Sequence, residues 1–155
     1  MSNKIVYTKA NKIDKDAIVK FSLLLNEDDG TKTPDEIKKS LDKSLENGLM
    51  WVAKSGDKII GYIMCELFDE ATSNFPNSIF ISELYVAEAF RKQGAGKKLV
   101  KLVMSNKFPK KYTYFSITHD PEVQFLTNFY KSLGFAEAGV TDVGNVKLVR
   151  KINIT

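Results

Sequence analysis

Val86-Ala87-Glu88-Ala89-Phe90-Arg91-Lys92-Gln93-Gly94-Ala95-Gly96-Lys97-Lys98 leads out of an apolar strand, through a short loop, and into a basic helix. Upstream, Ile79-Phe80-Ile81-Ser82-Glu83-Leu84-Tyr85-Val86 reads as a strand broken by one charge. Downstream, Leu99, Val100, Leu102, Val103 and Met104 predict a helix over about 95–107. Two glycines two residues apart at a helix entrance permit a tight backbone turn and close approach of a ligand. The free N–H groups of the first helical turn and the helix dipole then favour an anion, and a phosphate or pyrophosphate is the natural guest. The Lys-Ser/Thr of a nucleoside triphosphate loop is missing, and the glycine spacing differs from the dinucleotide fingerprint. Taken alone, the pattern is equally compatible with plain turn chemistry.

Charge is distributed to match. The chain carries 23 basic and 19 acidic side chains, a net charge of +4. Eight of the basic residues (Arg91, Lys92, Lys97, Lys98, Lys101, Lys107, Lys110 and Lys111) fall between Ala89 and His119, where no acidic residue occurs. The rest of the chain is net acidic. The bland explanation is lysines on a wet helix face; the sharper one is an anionic ligand here and a cationic ligand near an acidic segment. Glu27, Asp28 and Asp29 form one such segment, and Glu66, Asp69 and Glu70 another.

Working outward, Ile5 and Tyr7 suggest a first strand over 3–8, and Asn11 with Asp14 a helix start. Ala17, Ile18, Phe21, Leu24 and Leu25 predict an amphipathic helix over about 13–25. Thr33-Pro34-Asp35-Glu36 is a capping box with Pro at the first helical position, and Ile37, Leu41 and Leu45 supply the apolar stripe behind it. Leu49–Ala53 and Ile59–Cys65 read as a hairpin about Gly56-Asp57-Lys58. Tyr112–Ile117 reads as a strand. Asp120-Pro121 reads as the cap and first position of a helix carrying Val123, Leu126, Tyr130 and Leu133. Val146–Val149 reads as the last strand. The elements run strand, two helices, three strands, helix, strand, helix, strand: one mixed α/β or α+β domain spanning 1–155.

Arg91, Gly94 and Gly96 match every fixed position of R/Q-x-x-G-x-G/A, and this stretch resembles the acyl-coenzyme A motif of the GNAT superfamily of N-acetyltransferases. Asn128-Phe129-Tyr130-Lys131-Ser132-Leu133-Gly134-Phe135 resembles the F-Y-x-x-x-G-F segment of the same superfamily, in the same order and separation. The likeness extends over about residues 3–150. It implies an α+β fold with a central, mostly antiparallel sheet flanked by helices, two strands of which splay to admit acetyl-CoA. It also implies that Gln93, Gly94, Ala95, Gly96 and Lys97, with Arg91, Lys92 and Lys98 nearby, hold the pyrophosphate, and that Leu84, Tyr85 and Val86 lie along the pantetheine arm. Tyr130 would be the general acid for the departing thiolate, and a main-chain N–H near Tyr85 or Val86 would meet the oxyanion.

Acetyl transfer from a thioester to an amine needs a deprotonated amine, a stabilised oxyanion and a leaving thiolate, with no metal and no covalent intermediate. Glu83, the charge inside the strand before the turn, is the candidate base. It could equally bind a substrate ammonium, or face solvent at a strand end. Outside the family context Tyr130 reads as a core tyrosine. His119, the single histidine, is a second candidate base beside Glu83 or water, although before Asp120-Pro121 it reads rather as a solvent-facing loop residue. Asp120-Pro121-Glu122-Val123 replaces the Asn that many members of the superfamily carry there. Cys65 and Trp51 read as core residues. No Cys/His cluster suggests a metal. Glu27, Asp28, Asp29 and Glu66 are candidates for holding a small-molecule amine, and a polyamine or aminoglycoside fits them best. Protein or peptide N-acetylation and a non-catalytic acyl-CoA-binding module are the alternatives.

Length and composition bound these readings. At 155 residues and 43% hydrophobic, the chain suits one folded domain and excludes collagen-like and largely disordered classes. One cysteine allows no internal disulfide, and the polar N-terminus shows no apolar signal core, which together suggest the cytoplasm. No apolar run is long enough for a membrane span. Nucleic acid is disfavoured because the lysines of 91–111 come without interleaved aromatics. A homodimer is expected from the resemblance alone.

Overall fold

Thr33 opens its helix as the capping box requires. Its Oγ1 accepts from the Glu36 N–H at 3.2 Å, and the Glu36 carboxylate accepts from the Thr33 N–H at 3.4 Å. The computed structural model describes residues 4–26, 33–69 and 75–152. Among them are seven strands, β1 (Ile5–Lys9), β2 (Met50–Ser55), β3 (Lys58–Phe68), β4 (Ser78–Val86), β5 (Tyr114–His119), β6 (Ala136–Val140) and β7 (Val146–Lys151). Four helices accompany them, α1 (Lys15–Leu25), α2 (Pro34–Glu46), α3 (Ala95–Ser105) and α4 (Gln124–Ser132). The strands are hydrogen-bonded in the order β1-β2-β3-β4-β5-β7-β6. Strands β4 and β5 run parallel, whereas β1·β2, β2·β3, β5·β7 and β6·β7 are antiparallel. This is the α+β class expected. The candidate residues Glu27, Asp28 and Asp29, and Glu70, lie outside the described residues.

The chain forms two compact units, and β3 and β4 pass through both. The first comprises Met1–Cys65 and Glu83–Val103. Its core gathers Ile18, Val19, Leu41, Met50, Val52, Ile59, Tyr62 and Met64, with Phe21, Leu45 and Tyr85 packed against it. Asp14, only 3% exposed, accepts from the Asn11 N–H at 2.9 Å and pairs with Lys54 at 2.9 Å, so a buried carboxylate fixes the start of α1. Trp51 and Cys65 are buried, as expected of core residues. The predicted stripe of α1 holds only in part. Ile18 is buried, but Leu24 and Leu25 at the end of the helix are exposed.

The second unit comprises Glu66–Ser82 and Met104–Thr155. Within it the parallel register of β4 and β5 covers Ser78↔Tyr114, Ile79↔Phe115 and Phe80↔Ser116, the first three residues of each strand, and both strands run on past it. The Ser78 and Ser116 hydroxyls meet at 2.8 Å beneath this ladder.

Helix α4 does not begin at Pro121. Asp120 Oδ1 accepts from the Glu122 N–H at 2.9 Å and the Asp120 carbonyl from the Val123 N–H at 3.0 Å, so these residues close a turn and the helix starts at Gln124. Strand β6 had no forecast. Ala-Glu-Ala-Gly-Val carries neither strong strand propensity nor a buried face, and every residue of it is exposed.

Candidate functional site

In the first unit the backbone leaves β4 at Val86, passes a short 3-10 turn at Glu88–Phe90, and reaches α3 through Arg91–Gly94. Lys92 has φ 64 and Gly94 φ 84, so two residues of the turn are left-handed. The first helical hydrogen bond runs from the Lys98 N–H to the Gly94 carbonyl at 3.0 Å. By helix geometry the N–H groups of Ala95, Gly96 and Lys97 have no intrahelical acceptor and project from the helix start. Arg91, Lys92, Gln93 and Gly94 are exposed, as are Lys97 and Lys98, and no acidic residue lies between Arg91 and Lys98. This stretch can grip an anion through its main chain and dipole, with lysine charge around it.

Arg91 ties the turn to the strand before it. Its Nε donates to the Val86 carbonyl at 2.8 Å, and its guanidinium lies 5.9 Å from the centre of the Tyr85 ring. The side chain therefore braces the end of β4 against the turn. Behind Tyr85, the Phe21 ring stacks at 4.7 Å and the Tyr62 ring at 6.0 Å.

This stack ends on Glu83. The Tyr62 hydroxyl, fully buried, donates to Glu83 Oε1 at 2.7 Å, and Glu83 is 8% exposed. Burial, then the neighbouring carboxylate, pushes the Tyr62 phenol far above its ordinary range; the buried Ser22 hydroxyl pulls weakly the other way. The phenol is thus a permanent donor, and it fixes the carboxylate. The possibility of a solvent-facing Glu83 is corrected by this burial. Tyr62 escaped the sequence reading. Its only signal is a polar-tipped aromatic in the apolar run Ile59–Cys65, and the partner across β4 is invisible without the register.

Gly61, next to Tyr62, has a geometric reason to be glycine. A Cβ there would stand 2.8 Å from the Tyr85 carbonyl oxygen and 3.5 Å from Val86 Cα, while the Ala87 N–H bonds the Ile60 carbonyl at 2.7 Å. Gly61→Ala should push the end of β4 outward, at a cost of about 1–3 kcal/mol for overpacking. The expected result is a lower denaturation midpoint with coenzyme A affinity reduced more than tenfold, read by calorimetry. An unchanged affinity would show that the anion turn tolerates movement of Tyr85 and Val86.

In the second unit Tyr130, 1% exposed, sits edge-on to Phe129 at 4.9 Å and to Phe135 at 5.3 Å. The register of α4 buries Thr127 with it and leaves Asn128 exposed. His119 is not the solvent-facing loop residue expected. It ends β5 at 6% exposure, with Nδ1 2.8 Å from the Asp120 carbonyl and Nε2 2.8 Å from Thr127 Oγ1. A carbonyl only accepts, so Nδ1 carries a proton there, and Nε2 is hydrogen-bonded to the threonine hydroxyl. Both ring nitrogens are committed to structure. Glu66, a candidate for the amine, is half-buried on β3. Among the described residues no group of three or more His, Cys, Asp or Glu could hold a metal ion, and no helix is long and apolar enough to cross a membrane.

Three solved structures share the fold over nearly their whole length. The Salmonella typhimurium protein yncA, solved with its cofactor acetyl-CoA, is 15% identical with a TM-score of 0.79, covering 98% of this chain and 96% of that one. Ribosomal-protein-alanine N-acetyltransferase from Brucella melitensis is 17% identical with a TM-score of 0.78, covering 94% and 99%. PaiA N-acetyltransferase from Thermoplasma acidophilum, in complex with coenzyme A, is 15% identical with a TM-score of 0.69, covering 96% and 99%. No curated protein matches the chain. The family model for the acetyltransferase (GNAT) family matches residues 16–135, most of the sequence, including the glycine turn and the Phe129-Tyr130 segment. The chain therefore belongs to the GNAT acetyltransferase family, whose general chemistry is acyl transfer from acetyl-CoA.

Proposed function

We propose that this chain transfers the acetyl group of acetyl-CoA to a primary amine, and that the acceptor is a small polycation such as a polyamine or an aminoglycoside. The observation that carries this is the turn between β4 and α3. Left-handed Lys92 and Gly94 aim successive main-chain donors out of the helix start, and no carboxylate occurs from Ala89 through the helix. Such a turn suits a diphosphate, and the acetyl-CoA and coenzyme A bound by the Salmonella and Thermoplasma proteins supply that chemistry.

In the reaction, the free amine attacks the thioester carbonyl, a C–N bond forms, and the C–S bond breaks. The amine loses its proton toward Glu83, directly or through water, and the thiolate leaves with a proton from Tyr130. The resemblance supports these two roles. The buried carboxylate of Glu83, held by Tyr62, suits a group that must keep one orientation. The acidic segments 27–29 and 66–70 support a cationic acceptor by attraction. The same resemblance supports a homodimer, and the single cysteine suits a reducing compartment such as the cytoplasm.

The test is a panel of amines with acetyl-CoA, following free thiol and product mass. Spermidine and kanamycin should be acetylated in preference to a lysine-bearing peptide. Exclusive acetylation of the peptide would move the acceptor to protein. Release of thiol with none of the three, together with tight coenzyme A binding, would leave a non-catalytic binding module.

A further inference from the structure

Alternate residues of a strand share a face, so β7 presents Lys147, Val149 and Lys151 together. Across the β5·β7 ladder they stand opposite Thr118, Ser116 and Tyr114. On that face, within the second unit, lies a concavity of about 410 Å³, in the range of small-molecule sites. Phe75, Tyr114, Ala138 and Val149 give it apolar and aromatic walls, and among the described residues Lys147 and Lys151 are its only charged lining residues. Phe75 is almost fully buried, a fixed platform rather than a mobile flap. The Lys147 ammonium lies 5.2 Å from the centre of its ring. Four residues of strand place the two lysine Cα atoms about 13 Å apart, with Val149 between them.

Two ammonium groups beside aromatic walls, with no carboxylate among the described lining residues, repel the polycation proposed above as acceptor. They suit the opposite kind of molecule. We infer that this concavity binds a small aromatic carboxylate, its ring over Val149 between Phe75 and Tyr114 and its anion at Lys147 or Lys151. The site is separate from the acyl-transfer proposal and does not rest on it.

The test is calorimetric titration of the full chain with three probes of one shape, 2-naphthoate, 2-naphthamide and 2-naphthylmethylammonium. Naphthoate should bind at one site per chain, about tenfold more tightly than the amide, as a charge-assisted contact predicts. The ammonium should not bind. The double variant Lys147→Met, Lys151→Met should bind carboxylate and amide alike, and Val149→Trp should abolish both by filling the floor. Circular dichroism confirms that each variant folds. Saturating coenzyme A should leave naphthoate affinity unchanged. Absence of saturable naphthoate binding, equal binding of naphthoate and naphthamide by the native chain, a preference that survives in the double variant, or displacement of naphthoate by coenzyme A would each overturn the inference.

Discussion

If Tyr130 is the general acid proposed above, Tyr130→Phe should lower kcat by about two to four orders of magnitude, while coenzyme A affinity stays within a few-fold. The packing makes this a clean substitution. The Tyr130 ring lies edge-on to Phe129 and Phe135, and phenylalanine keeps both contacts. Loss of one buried hydroxyl costs about 1 kcal/mol of stability, too little to unfold a domain. Steady-state kinetics with acetyl-CoA, read beside a denaturation curve, separates the two effects. If kcat is unchanged when the chemical step limits the rate, the thiolate leaves without help from this phenol.

The second large effect falls on Glu83. Glu83→Gln preserves shape and still accepts from the Tyr62 hydroxyl, but it can no longer take a proton. The expected loss in kcat/KM is about two orders of magnitude at neutral pH, with partial recovery in alkaline buffer as the acceptor amine loses its own proton. A uniform loss at every pH would instead mark Glu83 as an ammonium-binding group. Tyr62→Phe leaves the carboxylate without its 2.7 Å donor and should lower kcat/KM about tenfold with coenzyme affinity intact. The Tyr62 phenol also fixes the sign of an alkaline stability change. It is held protonated in the folded chain, whereas in the unfolded chain it ionises near 10. Its contribution is therefore fully present below that pH and is lost progressively above it. Tyr62→Phe should flatten the alkaline fall.

Sequence pattern sufficed where the physics is local. The capping box at Thr33, the hairpin about Gly56-Asp57-Lys58 and the strand–turn–helix at 86–98 are each specified by neighbours in the chain, and each forms as expected. It failed where the determinant is a distant partner. The Tyr62–Glu83 bond depends on the register of two strands, and His119 is buried by Thr127, on a helix whose start Asp120 delays. Arg91 shows a subtler limit. Its position in the motif was legible, yet its side chain serves the Val86 carbonyl and the Tyr85 ring. Strand β6 was illegible for the plainest reason: it hides no apolar surface, so hydrophobic pattern had nothing to report.

That last strand has a consequence for how the molecule survives in concentrated solution. Among the described residues strand β6 ends the sheet, and such an edge is a template on which a stray chain could add. The ladder to β7 shifts register between Glu137 and Val140, so the rim is kinked within five residues, and Glu137 sets a charge beside the kink. A foreign strand would find too short a straight run to zip onto, so this rim is a poor seed for strand addition.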